Sequence, residues 1–96
     1  MNTVVAQFIE NLSPKVKDTL HGTAKLVIKD EGSVMLDNTG ARAGDDDADV
    51  TLIAPEAVFR AILDGSQNPA MAFMSGKLKV DGSSMRALKV SEILTG

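Results

Sequence analysis

The sequence predicts an α+β fold in which one β-sheet is covered by helices. Residues 4–12 carry apolar side chains at helical spacing, and residues 24–36 alternate with a period of two. Residues 48–94 follow the patterns of a strand, two helices, a second strand and a last helix. A chain of 96 residues, 44% of them hydrophobic, has room for one such core. We therefore expect residues 1–96 to form a single domain.

The N-terminal segment predicts an amphipathic helix. Its apolar stripe recurs at i, i+1, i+4, i+5 and i+8 and consists of Val4, Val5, Phe8, Ile9 and Leu12. Ser13 followed by Pro14 has the pattern of an N-cap with proline at the first helical position. We therefore expect the helix to bend or break there, with a short second turn that runs through Leu20 and stops at Gly22.

The next segment predicts a hairpin. Alternate residues of 24–28 are apolar and define one face of a strand. Glu31 and Gly32 supply a turn, after which Val34 and Leu36 continue the alternation. Residues 41–44 have the length of a brief edge strand, and the three aspartates that follow them predict a solvated loop.

The second half predicts two strands joined by helices. Residues 48–54 are apolar on nearly both sides, as in a strand inside a sheet. Pro55 opens a helix that ends at Gly65, and a shorter helix runs from Pro69 to Gly76 before strand alternation resumes. A helical crossover normally joins parallel strands by a right-handed connection, so we expect these two strands to be parallel.

Composition excludes several classes of protein. The absence of cysteine excludes disulfides and thiolate metal sites, and a net charge of −3 with scattered charges argues against a nucleic-acid-binding protein. The N-terminus lacks the cationic region of a secretory signal, and no apolar run approaches the roughly 20 residues that span a bilayer. We expect a soluble, cytoplasmic protein without a cofactor.

The chain resembles the sterol carrier protein 2 (sterol-binding) domain family. The family shows an ADxTLT strand, a helix ending in glycine, a PxxAFxxG turn, a KLKIxG strand and a terminal helix. The matching segments are Ala48 to Ile53, Pro55 to Gly65, Pro69 to Gly76, Lys77 to Gly82 and Ser83 to Leu94. Leu26 to Asp37 fits the family's first strands more loosely. The short N-terminal region and the lack of a peroxisomal C-terminal signal favour a small bacterial-type, stand-alone member.

The resemblance implies a five-stranded mixed sheet with helices packed on one face, in the order α-β3-crossover-β-α-β. It also implies an apolar tunnel for fatty acids, fatty acyl-CoA or sterol-like lipids, and no covalent chemistry. The matching positions that are expected to line this tunnel are Phe59, Ile62, Leu63, Met71, Phe73, Met74, Leu78, Val80, Met85 and Leu88. The terminal helix from Ser83 is the expected lid.

Three groups of polar residues have both a functional and a structural interpretation. Asp45, Asp46, Asp47 and Asp49 suggest a cation site, but consecutive aspartates cannot all converge on one ion, which favours a solvated turn. The single histidine, His21, lies near a predicted helix C-terminus. A favourable interaction with the helix dipole accounts for a histidine at this position without a catalytic role. Finally, four lysines are expected on the outward faces of strands: Lys25, Lys29, Lys77 and Lys79. They could attract an anionic membrane surface in a transient contact, or they could simply solvate the face of the sheet.

These observations leave a lipid-binding carrier as the first hypothesis. The flexible side chains of Met71, Met74 and Met85 suit a pocket for ligands of differing shape, although they fill an ordinary core equally well. The second hypothesis is an accessory or dimerisation domain with a closed cavity that packs against a partner enzyme or itself. An enzyme that pairs His21 with an aspartate is the third.

Overall fold

The computed structural model describes residues 2–95 and confirms the α+β class. The elements of this part of the chain are α1 (Thr3–Val16), β1 (Ala24–Ile28), β2 (Gly32–Asp37), β3 (Gly40–Ala43), β4 (Val50–Ala54), α2 (Glu56–Asp64), α3 (Pro69–Met74), β5 (Lys79–Gly82) and α4 (Ser84–Thr95). No helix within residues 2–95 is both long and apolar enough to cross a bilayer.

The five strands form one mixed sheet, as expected, and their order across it is β3-β2-β1-β4-β5. β1 pairs antiparallel with β2 and parallel with β4. The register aligns Leu26 with Val34 on one side and with Leu52 on the other, and all three side chains are buried. Because alternate residues of a strand share a face, this row defines the inner face of the sheet.

The strands on either side of the helical connection are antiparallel neighbours, so the expected parallel pair was wrong. Leu52 lies opposite Val80, and Ile53 lies opposite Lys79. The connection contains two helices, and β5 therefore starts at the end of the sheet where β4 finishes. For the two strands to be parallel, the connection would have to return the chain to the end of the sheet where β4 begins. The parallel neighbours are instead β1 and β4, which are linked through β2 and β3.

α1 continues through Pro14, where a break was expected. Ser13 does not cap a second helix. Its hydroxyl accepts from the backbone N–H of Ala41 at 2.8 Å and donates to the carbonyl of the same residue at 3.3 Å, which fastens α1 to β3. Pro14 lies on the exposed side in the last turn, and Glu10 is exposed as well, so water can satisfy the carbonyl that proline leaves without a donor.

One hydrophobic cluster joins the inner face of the sheet to all four helices. α1 buries Val5, Phe8, Leu12 and Val16, which continues the predicted stripe by one turn. The rings of Phe8 and Phe59 meet edge to face with centroids 6.3 Å apart, which joins α1 to α2. α4 begins where the sequence predicts, with the hydroxyl of Ser83 accepting from the N–H of Arg86 at 3.4 Å.

Candidate functional site

The structure divides the ten predicted lining residues into three groups by their exposure. The buried group, in the core and no more than 2% exposed, comprises Phe59, Ile62 and Leu78. The exposed group comprises Met71 (65%), Phe73 (37%), Met74 (84%) and Met85 (74%). The half-buried group comprises Leu63, Val80 and Leu88. The first group is brought together in a closed core and the second faces solvent, so their joint contact with a ligand stays a prediction.

α3 supplies most of this exposed apolar surface. Asn68 caps the helix by accepting from the N–H of Met71 at 3.1 Å. At the other end the carbonyl of Ala72 accepts from the N–H groups of Lys77 and Leu78, and Gly76 provides the left-handed turn with φ of 83°. Ala72 is the one fully buried residue of the helix. A helix of six residues can bury little more than one side, so its larger apolar residues remain in solvent.

A groove of about 230 Å³ lies between α4 and the segment that follows α1. Its wall is formed by Thr19, Leu20, His21, Met85, Arg86, Lys89, Val90 and Ile93. Apolar side chains therefore lie beside the cationic groups of Arg86 and Lys89. This arrangement suits a molecule with an apolar chain and an anionic end.

The two cations of this groove have different surroundings. Arg86 donates to the carbonyl of His21 at 2.7 Å and lies 3.5 Å from the carboxylate of Asp49, so it holds the segment before β1 against α4. Lys89 is exposed, and within residues 2–95 it belongs to none of the ion pairs. Lys89 is therefore the cation that is available to a ligand.

Of the residues that line this groove, only Met85 was among the ten predicted from the sequence. The spacing of Met85, Lys89 and Ile93 at i, i+4 and i+8 places them on one face of a helix, and that signal was readable. The facing residues Thr19 and Leu20 depend on tertiary packing, which no local pattern reports. The carbonyl of His21 accepts from Arg86, and His21 lines the groove, whereas the predictions for this residue were a place near a helix end or a pairing with an aspartate in an enzyme.

A second groove, of about 400 Å³, lies between α1 and α2. Its wall consists of Asn11, Lys15, Arg60, Leu63 and Asp64, of which only Leu63 is apolar. The guanidinium of Arg60 is held by the carboxylate of Glu56 and lies 5.1 Å from the ring centroid of Phe8. This polar lining makes the groove the poorer place for an acyl chain despite its larger volume.

Several charged residues around the sheet make local contacts. Lys25 pairs with Asp45 at 2.9 Å, and Asp49 accepts from the N–H of Thr23 at the same distance. The pKa of Asp37 is lowered to about 2, mainly by a hydrogen bond that the Thr39 hydroxyl donates and to a smaller extent by one from Arg42. These contacts stabilise the turns around the sheet.

The family model described as the SCP-2 sterol transfer family matches residues 2–95. Among curated proteins, the chain is 36% identical over 73 residues to the Homo sapiens hydroxysteroid dehydrogenase-like protein 2, covering 76% of this chain and 16% of that protein. It is 35% identical over 69 residues to a fatty acid-binding protein of Yarrowia lipolytica, covering 72% of this chain and 51% of the relative. The chain thus spans about half of one relative and about a sixth of the other.

Among solved structures, the fold is similar to that of sterol carrier protein 2 from Aedes aegypti in complex with the C16 fatty acid palmitate. The TM-score is 0.76 at 17% sequence identity, with 98% of this chain and 96% of that chain covered. At this identity the similarity establishes a shared fold. The sheet and the helical layer described above therefore have the same overall arrangement as in that structure.

Proposed function

The chain belongs to the SCP-2 sterol transfer family, and we propose that it is a cytoplasmic lipid carrier that performs no covalent chemistry. Residues 1–96 form one lipid-binding domain in this proposal, and its ligands are fatty acids, fatty acyl-CoA or sterol-like lipids. One observation carries it. Within residues 2–95, the large hydrophobic side chains that are exposed all lie between Met71 and Met85. Apolar surface is thus concentrated on α3 and the start of α4, beside the core.

The relatives favour this function. The Yarrowia lipolytica protein is named for binding fatty acids, and the Aedes aegypti structure is titled as a palmitate complex. The human protein is named for its likeness to a dehydrogenase, but this chain matches only 16% of its length. The alternative of an accessory or dimerisation domain with a closed cavity is not favoured, because the family and these names point to a carrier.

A long acyl chain requires the helices to move. The groove beside α4 holds about 230 Å³, whereas pockets for small organic ligands range from about 300 to 1,000 Å³. The interior is closed around Phe59 and Ile62, each 1% exposed. We infer that α3, which is anchored by Ala72, swings outward to admit the chain. The ten predicted residues then line the enlarged space, and Lys89 receives the anionic end.

The binding energy is limited by the hydrophobic effect. Burying a chain of 16 carbons yields on the order of 12 kcal/mol at about 0.8 kcal/mol per methylene. The loss of translational, rotational and chain freedom on binding costs about 4–15 kcal/mol and offsets part or all of that gain. If the entropic cost is near its lower estimate of about 4 kcal/mol, about 8 kcal/mol of binding free energy remains. This free energy corresponds to a micromolar dissociation constant, which is therefore the tightest binding we expect.

Titration of the purified, delipidated protein with palmitate tests the proposal. We expect saturable binding of one molecule per chain, and native mass spectrometry of protein purified from its own cells should show a co-purified lipid. Absence of saturable binding for fatty acids, acyl-CoA and sterols together would refute the carrier function.

A second titration tests the role of Lys89. The variant Lys89→Gln should bind palmitate about 1.5- to 5-fold more weakly, the range of an exposed ion pair, while its affinity for the uncharged methyl ester stays unchanged. Lys17→Gln is the matched control, because Lys17 is also exposed and lies outside the groove. Equal weakening for acid and ester, or by the Lys17 variant, would show that the carboxylate is not received at Lys89.

A further inference from the structure

We propose that Met71, Met74 and Met85 are sites of reversible oxidation by hydrogen peroxide, and that their oxidation releases the bound lipid. The sites themselves are independent of the function proposed above, whereas the release rests on it. In each reaction the sulfur lone pair attacks one oxygen of the peroxide, the O–O bond breaks, and the second oxygen leaves as water. The sulfur thereby loses two electrons to the peroxide and becomes a sulfoxide.

The composition leaves methionine as the only source of sulfur in this chain. A cysteine thiolate usually reacts with an oxidant first, but the sequence contains no cysteine, and it has no tryptophan or tyrosine either. Four of the five methionines lie within residues 2–95, at positions 35, 71, 74 and 85. Oxidising equivalents that reach the protein are therefore taken up chiefly by methionine.

Three of those four sulfurs are open to peroxide and one is closed. The three proposed sites are at least 65% exposed, whereas Met35 is 1% exposed. The segment after β3 covers Met35. Its Gly44 donates its N–H to the carbonyl of Ser33 at 3.3 Å, and a Cβ added to this glycine would lie 3.0 Å from the Met35 Cγ. Because oxidation follows exposure, peroxide selects the three proposed sites over Met35.

Methionine is distributed unevenly between the surface and the core. Within residues 2–95 four large hydrophobic side chains are exposed, of which three are the proposed sites and the fourth is Phe73. Met35 is the one methionine among the buried hydrophobic residues of the same range. Leucine would supply a similar apolar surface without a sulfur. The exposed apolar surface is thus oxidisable, whereas the core that stabilises the fold is almost free of oxidisable side chains.

Oxidation penalises the lipid-bound state and spares the free protein. A sulfoxide is polar, and it remains hydrated where the side chain is in water. Met71 and Met74 lie one turn apart on α3, and Met85 lines the groove beside α4, so in the proposed carrier all three contact the acyl chain. Burying a polar group without a hydrogen-bond partner raises the dissociation constant by at least about fivefold. Peroxide therefore weakens lipid binding without unfolding the protein.

Peptide mass spectrometry after timed exposure of the delipidated chain to hydrogen peroxide tests the sites. Met35 should gain its oxygen at least about tenfold more slowly than the three proposed sites, because its exposed fraction is lower by a larger factor. Equal rates at Met35 and at those sites would overturn the assignment. Saturating palmitate should slow oxidation at the three sites alone, and unchanged rates there would overturn the release.

Palmitate titration before and after peroxide tests the release. The dissociation constant of the unmodified chain should rise at least about fivefold. Methionine sulfoxide reductases A and B with a thiol reductant should restore it, the thiols becoming a disulfide and the oxygen leaving as water.

Variants without the exposed sulfurs provide the comparison. Peroxide should leave the dissociation constant of Met71→Leu/Met74→Leu/Met85→Leu where it was before treatment. Met35→Leu is the matched control and should respond to peroxide as the unmodified chain does, because Met35 is buried and lines neither groove. A loss of affinity that persists in the triple variant would overturn the proposal.

The release and the carrier function can fail separately. Full palmitate affinity in a chain whose three sites are oxidised would remove the release and leave the carrier. Absence of palmitate binding before peroxide would remove the carrier and the release together, while the oxidation rate of Met35 relative to the exposed methionines still decides the sites. A urea midpoint that falls on oxidation would show that peroxide acts by unfolding, which would also overturn the release.

Discussion

The attachment of α3 to the core depends on Ala72, and replacing it with glycine measures that attachment. Ala72→Gly removes a fully buried methyl group, worth about 0.8 kcal/mol, and lowers helix propensity by about 1 kcal/mol. The free energy of local opening should therefore fall by about 1.8 kcal/mol, which raises the open population about 20-fold. Hydrogen exchange at Ser75, Gly76, Lys77 and Leu78 reports this opening, because their N–H groups donate to carbonyls of α3.

Ala70→Gly is the matched control for this measurement. Ala70 lies in the same helix but is only half-buried, so the glycine penalty of at most about 1 kcal/mol should dominate and exchange should rise about fivefold at most. Equal exchange in the two variants would refute the view that Ala72 anchors α3. The association rate of palmitate should also rise in Ala72→Gly. An unchanged rate despite faster exchange would show that lipid enters elsewhere.

Three further predictions concern stability. Phe59→Ala should lower the free energy of unfolding in urea by about 3–5 kcal/mol, because it empties a buried site and removes the edge-to-face contact with Phe8, whereas Met74→Ala should change it by less than about 0.5 kcal/mol. Equal effects would contradict the burial of Phe59. Ser13→Ala should cost about 1 kcal/mol in the same assay, because the N–H of Ala41 loses its acceptor, and a neutral result would contradict the link between α1 and β3. Asp37 has its pKa lowered to about 2, so the stability that its charge contributes is complete above about pH 4 and is lost as the pH falls through 2. The difference between the unmodified chain and Asp37→Asn, below about 1 kcal/mol for an ion pair at the protein surface, should therefore vanish over that interval, and a difference that persists at pH 2 would contradict the assignment.

The fold was largely predictable because local periodicity carries it. The stripe of α1, the alternation of β1 and β2 and the glycine that ends α2 are all readable within a few residues. The direction of β5 was not, because it depends on how α2 and α3 pack against α4 and return the chain. The break predicted at Ser13 and Pro14 was wrong for a related reason. The hydroxyl of Ser13 bonds to Ala41, which is 28 residues away, so a local capping rule could not predict the contact.

The candidate site was less predictable than the fold. Apolar residues at helical spacing indicate a buried face, but the same spacing on a very short helix leaves side chains exposed, as it does for Met71 and Met74. The groove beside α4 required Leu20 and His21 to meet Arg86, and their separation of more than 60 residues hides the contact from the sequence.

The exposure of α3 lowers the free energy needed to open the site. Moving a helix away from a core normally exposes several large apolar side chains, each worth about 1.5–3 kcal/mol when fully buried. Here Met71 and Met74 are already largely in solvent, so among the side chains of the helix itself opening newly exposes chiefly the methyl group of Ala72 and the covered part of Phe73. Closing the helix over an acyl chain would in contrast remove the side chains of Met71, Phe73 and Met74 from water. In the proposed carrier the same side chains thus favour enclosure of the lipid, because only with a ligand bound do they contact apolar material that the free protein lacks.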